Sequence, residues 1–434
     1  MAHHPIDRQR RRLLLAASAL ALAGARPAFA APKTVTVVTS YPDEFVTRIQ
    51  AAFEKARPDY RMQVIWRMPQ DAYDYLKQAT QPADVYWAAS PRTFARLAAD
   101  GIWQKLPVHR SSLPERIGNA QLGDSQGFYT ATEVAGFGFA VSPKLLAAHQ
   151  LPVPADWSDL ADPRLAGLIA LPDPSRVGFA PPMIEIVLQA LGWERGWALW
   201  SEISANASFI ERGSTFVTDE IVAGRCAVGL SIDFFVNAAI ANGAPLRFVY
   251  PAHTGLNPAH VAVAKAAPNP EGAKAFVDFI LSRDGQRQLA HPDIRRLPIR
   301  PDAYADQPAG SFNPFAAAQA GGLQFDSDAA RPRLAASSAL FHQMLVEPHG
   351  EITALWRRLQ RAEAAGKKVA AIRARLGAPA IAESVANDPA VQRQIGPRLE
   401  GNETRPLSPV EIAWRDACRA QRAEVDALLK EVGA

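Results

Sequence analysis

The stretch from residue 34 to residue 101 alternates β-rich and helix-periodic segments, and this alternation limits the fold more than any other feature of the chain. Thr34–Thr39 reads Thr-Val-Thr-Val-Val-Thr, a β-rich run. It runs through Ser40-Tyr41-Pro42-Asp43 into a segment with Phe45, Ile49, Ala52, Phe53 and Ala56 on one helical face. Residues 62–66 make a second strand and residues 84–87 a third, short and apolar. The third ends at Ser90-Pro91, a helix N-cap followed by a proline suited to the first turn, and Gly101 closes that helix. A β-α-β-α-β order predicts a parallel, doubly wound sheet, because each crossover helix must cover a face of the sheet it returns to.

The pattern continues after a Gly/Ser-rich passage. Residues 128–141 read as one long extended segment and residues 165–171 as a strand, followed by the loop Pro172–Gly178. Helices are expected at 183–191, 193–205, 215–223, 234–241 and 271–283, and strands at 227–232, 246–250 and 260–264. From about residue 326 Ala, Arg and Leu dominate. Ile352, Leu355, Leu359 and Ala362 form a helical stripe, and Ser408-Pro409-Val410-Glu411 is a capping box opening a final helix. The last hundred residues are therefore expected to be an all-α appendage.

The N-terminus carries an address. Arg8-Gln9-Arg10-Arg11-Arg12 precedes an apolar run from Leu13 to Ala25 and then Ala28-Phe29-Ala30. This is the order of an export signal: basic region, short apolar region, small-x-small cleavage site. The apolar run is too short to span a bilayer. Residues 1–30 are expected to be removed after export by the general secretory or the twin-arginine route, leaving a periplasmic protein. They hold five of the chain's 47 Lys+Arg and one of its 43 Asp+Glu, so the remainder is electrically neutral and its composition calls for no nucleic-acid partner. Cys226 and Cys418 lack metal or redox spacing, so one disulfide or two buried thiols are the available readings.

Catalytic motifs are sparse, and no enzyme activity and no cofactor or metal is expected. Gly229-Leu230-Ser231-Ile232-Asp233 approaches a nucleophile elbow but has Asp where the tight turn needs Gly, which disfavours a hydrolase. Gly136-Phe137-Gly138 is half of a dinucleotide fingerprint. What stands out instead is a set of polar loops at strand ends, each feeding a helix: Thr39-Ser40, Ala89-Ser90, Ser175-Arg176 and Ser214-Thr215. Helix N-termini offer free N–H groups and partial positive charge, hydroxyls add donors, and Arg176 adds a guanidinium fork. Singly, each Ser or Thr serves as an ordinary cap; as a set they form an anion cradle.

Six ordered segments carry a family resemblance. They are Val37-Val38-Thr39-Ser40, Ala83-Asp84-Val85-Tyr86-Trp87, residues 156–163, Ala170-Leu171-Pro172-Asp173-Pro174-Ser175, residues 243–251, and residues 273–282. In order and spacing over residues 33–300 the chain resembles the extracellular solute-binding proteins of ABC importers, in the cluster that holds ferric-ion and organophosphate binders. The resemblance implies the two-lobed α/β fold of type 2 periplasmic binding proteins, with hinged doubly wound lobes and here an all-α C-terminal extension. The implied divisions are residues 31–130 and 251–325 for the first lobe, 131–250 for the second and 326–434 for the extension. The crossings between lobes would be residues 128–141 and 246–250.

The ferric members carry two adjacent tyrosines where this chain has Asp233-Phe234-Phe235. Phenylalanine has no oxygen to offer a hard cation, so iron is disfavoured. Phe234 would stack on a sugar or cover a short carbon chain, with Asp233 accepting from hydroxyls or an ammonium; the rival reading makes both phenylalanines helix core. Glu133, His253 and Thr254 lie near the crossings as further candidates. The implied function is capture of a small phosphorylated or phosphonate anion for an inner-membrane ABC permease. The tail resembles extensions of phosphoglycerate transport regulatory relatives, which leaves presentation of ligand to a sensor kinase as an alternative. The bland reading of the tail is a strap that stabilises one lobe.

Overall fold

The computed structural model describes residues 31–78, 83–106, 113–211, 216–292, 294–305, 307–308, 310–395 and 406–434. The export segment and the Ser214-Thr215 pair lie outside the described residues. The first lobe begins with β1 (Lys33–Thr39), α1 (Asp43–Ala56), β2 (Tyr60–Trp66), α2 (Pro69–Lys77), β3 (Val85–Ala88) and α3 (Pro91–Ala99). Alternate residues of β1 explain why helices cover both faces. Val35 and Val37 enter one core with Phe45, Ile49, Phe53 and Phe276, and Val38 enters another with Tyr75, Tyr86 and Phe94.

A small hairpin, β4 (Arg116–Ile117) and β5 (Ala120–Gln121), precedes the long strand β6 (Tyr129–Val141). The second lobe follows with α4 (Pro143–Ala148), β7 (Ile169–Pro172), α5 (Pro181–Leu191), α6 (Trp193–Asn206), β8 (Ala207–Ile210), α7 (Phe216–Val222), β9 (Val228–Ile232), α8 (Asp233–Ala241) and β10 (Arg247–Val249). The chain returns through β11 (Leu256–Val263), α9 (Pro270–Ile280), α10 (Arg283–Leu289), β12 (Leu297–Pro298) and α11 (Pro314–Gln319).

The strand order is β2-β1-β3-β11-β6-β9-β7-β8, with β10 and β12 also on β6. As read from the sequence, β1 runs parallel to β2 and to β3. The sheet as a whole is mixed, because β11 comes back from the second lobe and inserts antiparallel between β3 and β6. β6 belongs to both lobes. Its residues 129–136 pair with β11, and Phe137–Val141 pair with β9 and β10. The expected second crossing strand stays beside β6 in the second lobe, and residues 250–255 make the passage back.

Three other expectations shift for local reasons. The strand expected at 165–171 starts only at Ile169, because Asp162 caps a short 3-10 turn over Pro163–Leu165 and Gly167 turns at φ +77°. The helix expected over 271–283 breaks at Leu281, where Ser282 starts α10 by accepting from the Gly285 N–H. Ser90 precedes α3 as expected, but its hydroxyl bonds the Thr93 hydroxyl at 2.7 Å rather than a backbone N–H.

The extension is helical throughout its described part: α12 (Ser327–Ala330), α13 (Leu334–Phe341), α14 (His349–Ala364), α15 (Ala370–Gly377), α16 (Glu383–Ala386), α17 (Pro389–Ile395) and α18 (Pro409–Glu431), with a π turn at His342–Val346. Both bonds of the Ser408–Glu411 capping box are present. The tail is built into the second lobe. Phe341, Met344, Leu345, Trp414 and Cys418 share one core with Trp157, Trp197 and Trp200. Trp356 Nε1 donates to Ser201 Oγ at 3.0 Å, and Trp193 Nε1 to the Ile381 carbonyl at 3.0 Å. Cys226 and Cys418 are both free and buried. No helix among the described residues is long and apolar enough to cross a membrane.

Candidate functional site

Strand direction brings the polar loops to two facing edges. Because β1 and β3 are parallel, the loops after Thr39 and Ala88 leave the same edge of the first lobe. Because β7 and β9 are parallel, the 173–178 loop and Asp233 leave the same edge of the second lobe, where Phe179 meets Phe235 at 5.7 Å. A single guanidinium shows that the two edges meet. The Arg296 carbon lies 4.1 Å from the centre of the Phe234 ring, and 5.2 and 5.3 Å from those of Tyr41 and Phe45.

Arg296 is the centre of the site, and the sequence reading passed over it. The residue is only 7% exposed. Among the described residues its guanidinium makes no hydrogen bond and no ion pair; it contacts the three rings and acts through its charge on buried Glu133 and Asp233. A largely buried cation ordinarily has hydrogen-bonded partners, so a guanidinium between two lobes whose N–H groups bond nothing among the described residues offers free donors to an anion. Aromatic rings offer a guanidinium no hydrogen-bond acceptor of carboxylate or phosphate type, so its N–H groups stay available to a bidentate anion.

Local structure holds Arg296 in place. After α10 the chain turns with the Arg295 N–H on the His291 carbonyl, which puts Arg295 at φ +50°, a left-handed position glycine usually takes. Gln286, fully buried, then fixes the following segment. Its Nε2 donates to the Thr132 and Ile280 carbonyls, and its Oε1 accepts from the Ile299 and Arg300 N–H groups. β12 therefore lies on β6 with Leu297 opposite Val134, and Arg296 is one residue earlier.

Two buried carboxyls flank the guanidinium. Glu133 accepts from the Tyr41 and Thr132 hydroxyls, and the Trp87 indole donates to Thr132 Oγ1 at 3.0 Å. Burial raises the pKa of Glu133 against the pull of Arg296, and burial likewise pushes the Tyr41 phenol well up. Asp233 Oδ2 accepts from the Gly136 N–H at 2.8 Å and from the Tyr250 hydroxyl at 2.9 Å. Burial pushes Asp233 up to about 6, with these bonds and Arg296 opposing. Tyr250 stacks on Phe312 at 3.6 Å, so Asp233 ties the second lobe to both passages of the chain. The glycines of the Gly136-Phe137-Gly138 motif serve this closeness. A Cβ at Gly136 would lie 2.5 Å from the Tyr250 ring, and one at Gly138 would lie 2.2 Å from the Val249 carbonyl.

The remaining sequence candidates lie at or near these edges with partners of their own. Thr39 Oγ1 accepts from the Tyr41 N–H at 3.2 Å, and half-buried Ser40 stands between them. Ser175 Oγ bonds Asp173 at 2.7 Å, with His342 Nδ1 at 3.4 Å. Arg176 pairs with Glu211 at 2.8 Å and reaches Asp173 at 3.8 Å. His253 pairs with Asp156 at 2.9 Å. The structure thus brings Phe234 against Arg296 and Asp233 within its electrostatic reach, puts Thr39 and Ser40 on the same loop as Tyr41, which also contacts it, and leaves Arg176 and His253 engaged in ion pairs of their own. Among the described residues no group of three His, Cys, Asp or Glu side chains is placed to hold a metal ion.

Comparison with known proteins identifies the family and the fold of the chain. A sequence profile of bacterial extracellular solute-binding proteins matches residues 80–317. The phosphoglycerate transport regulatory protein PgtC of Salmonella typhimurium (strain LT2) is 37% identical over 178 residues, 41% of this chain and 44% of that protein, so the match spans less than half of that curated relative. An uncharacterised Haemophilus influenzae protein is 31% identical over 236 residues, 54% of this chain and 67% of that protein. Among solved structures, fructose-6-phosphate-bound AfuA of Actinobacillus pleuropneumoniae aligns over 70% of this chain and 96% of its own, with TM-score 0.53 and 21% identity. Iron-bound HitA of Pseudomonas aeruginosa aligns over 69% and 98%, with TM-score 0.54 and 19% identity. At such identities the likeness establishes the two-lobed fold alone.

Proposed function

The chain belongs to the bacterial extracellular solute-binding protein family, and from that premise we propose that it is the periplasmic receptor of an ABC importer for a small phosphorylated or phosphonate organic anion. The observation that carries this reading is the buried, unpaired Arg296 guanidinium between the two lobes. The anion would lie in the guanidinium plane, with Ser40 and the N–H groups at the start of α1 beside it. Phe234 would cover the carbon skeleton. Hinge bending about β6 and residues 250–255 would close the lobes over the ligand, and an inner-membrane permease would read the closed form. Two similar proteins agree in chemistry: a phosphoglycerate transport regulatory protein and a periplasmic binding protein with fructose-6-phosphate bound.

The test is thermal unfolding of residues 31–434 against hexose phosphates, glycerol phosphates, phosphoglycerates, aminoethylphosphonate, inorganic phosphate and their unphosphorylated parents. A ligand specific to the native state raises Tm by mass action. A shift with a phosphorylated compound, none with its parent, and loss of the shift in Arg296→Gln supports the reading. A shift with ferric citrate alone, or one that survives Arg296→Gln, overturns it.

The word "regulatory" in the name of the 37% identical relative favours a second reading, ligand presentation to a sensor kinase. Deleting the tail is a poor discriminator, since Phe341 and Trp414 are core to the second lobe. Charge reversals on the outer face of α18, such as Arg419→Glu, that abolish signalling while ligand affinity is kept would support it.

A further inference from the structure

Resting on the reading of Arg296 as the anion anchor, we propose that ligand capture is coupled to proton uptake, with Asp233 and Glu133 together taking up a proton as the anion occupies the guanidinium. The geometry supplies the reason. One cation stands among two buried carboxyls and pairs directly with neither. With both ionised, the enclosed site has one negative charge in excess before any ligand arrives. An anion seated on Arg296 adds more negative charge and screens a positive charge that helps to hold both carboxyls ionised. In a water-poor site that imbalance is relieved most readily by protonation.

Among the described residues, Arg296 is the one cation shown acting on either carboxyl. Facing Asp233 are the Gly136 N–H from β6, the Tyr250 hydroxyl from the return passage, the Phe234 N–H from its own helix, Arg296, and Tyr304. Facing Glu133 are Tyr41 from the β1–α1 loop, Thr132, Trp87 from β3, and Arg296. Arg296 is the single cation common to both. Burial pushes Asp233 up to about 6, with Arg296 among the influences that lower it, so an anion that screens Arg296 moves Asp233 further in the direction of protonation. The acids thereby become specificity determinants. They disfavour anions bound without a proton, and they make affinity fall as pH rises.

The test is calorimetric titration of 3-phosphoglycerate into the full mature protein at pH 7.5, in two buffers of unlike ionisation enthalpy. At this pH the free phosphate is fully ionised. Uptake of about half a proton or more per ligand is expected, falling in Asp233→Asn. The wild-type measurement alone decides the matter if that variant folds poorly. Binding heat without buffer dependence overturns proton coupling and leaves the anion site standing. Uptake accompanied by a 31P shift of the monoanionic ester places the proton on the ligand and overturns the assignment to the carboxyls. No heat from 3-phosphoglycerate or any compound of the panel overturns the anion reading itself, and this inference with it.

Discussion

Arg333→Ala should be among the more damaging single changes in the tail, and its pH dependence should show why. Glu185 on α5 of the second lobe is fully buried. Its Oε2 accepts from Arg333 Nε at 2.8 Å, and its Oε1 from the Ser337 hydroxyl, both partners belonging to the tail. Burial holds the Glu185 carboxyl above its ordinary range, with Arg333 the main opposing influence. Removing one partner of such a pair leaves an uncompensated buried charge and costs about 3–5 kcal/mol. The lost contact to exposed Glu383 adds little. A carboxyl whose native pKa lies above its unfolded value binds its proton more tightly when folded. It therefore costs stability at pH above that native pKa and none below the unfolded value. Without Arg333 the native pKa rises further, so the deficit should be largest near pH 7.5 and narrow toward pH 5. Urea unfolding followed by tryptophan fluorescence of the Trp197–Trp200 cluster would read both effects. Joint replacement by Glu185→Met and Arg333→Met should restore most of the loss. A deficit under about 1 kcal/mol, or one unchanged between pH 7.5 and 5, would refute the reasoning.

Other expectations follow from single contacts. Arg296→Gln should weaken a phosphorylated ligand by roughly 10- to 150-fold, the range of a charged hydrogen bond, with little change in the Tm of the free protein, measured by calorimetry. Gly138→Ala should destabilise by about 1–3 kcal/mol as an overpacking change, since its Cβ would enter the Val249 carbonyl; denaturant unfolding checks it. Cys226 and Cys418 are buried thiols pushed up to about 11, so a thiol reagent at pH 8 should label neither in the native protein and both in urea.

Much of the fold was legible because it is written in local pattern. The β-rich run Thr34–Thr39, the apolar strand read over 84–87 and the Ser408–Glu411 capping box all act over a few residues; the capping box forms as read, and the two strands form as Lys33–Thr39 and Val85–Ala88. β11 showed only its second half, because Pro258 interrupts the strand pattern before His260. β8 was hidden behind α6, whose last turn runs straight into Ala207. The site divides in the same way. Thr39, Ser40 and Phe234 stand at strand ends, which a sequence reveals. Arg296 is distinguished by a guanidinium that bonds nothing among the described residues, and that is a property of the folded arrangement that no spacing encodes. Asp233 was visible as an acid beside an aromatic wall, but its bonds to Gly136 and Tyr250 depend on two distant segments meeting.

The short step from Leu323 to Phe325 has a practical consequence. Leu323 packs in the core of the first lobe, and Phe325, two residues on, packs in the core of the second. It lies against the return passage, where a Cβ on Gly255 would touch its ring. The chain therefore changes lobes three times, and the two ends of the described fold travel with different bodies. Lys33 begins the first lobe's sheet, while the Ala434 carbonyl is held by Arg358 on α14, which packs on the second lobe. Fluorophores at those two ends would turn the protein into a ruler of its own closure, reporting a ligand through the distance between its termini without any label near the cleft.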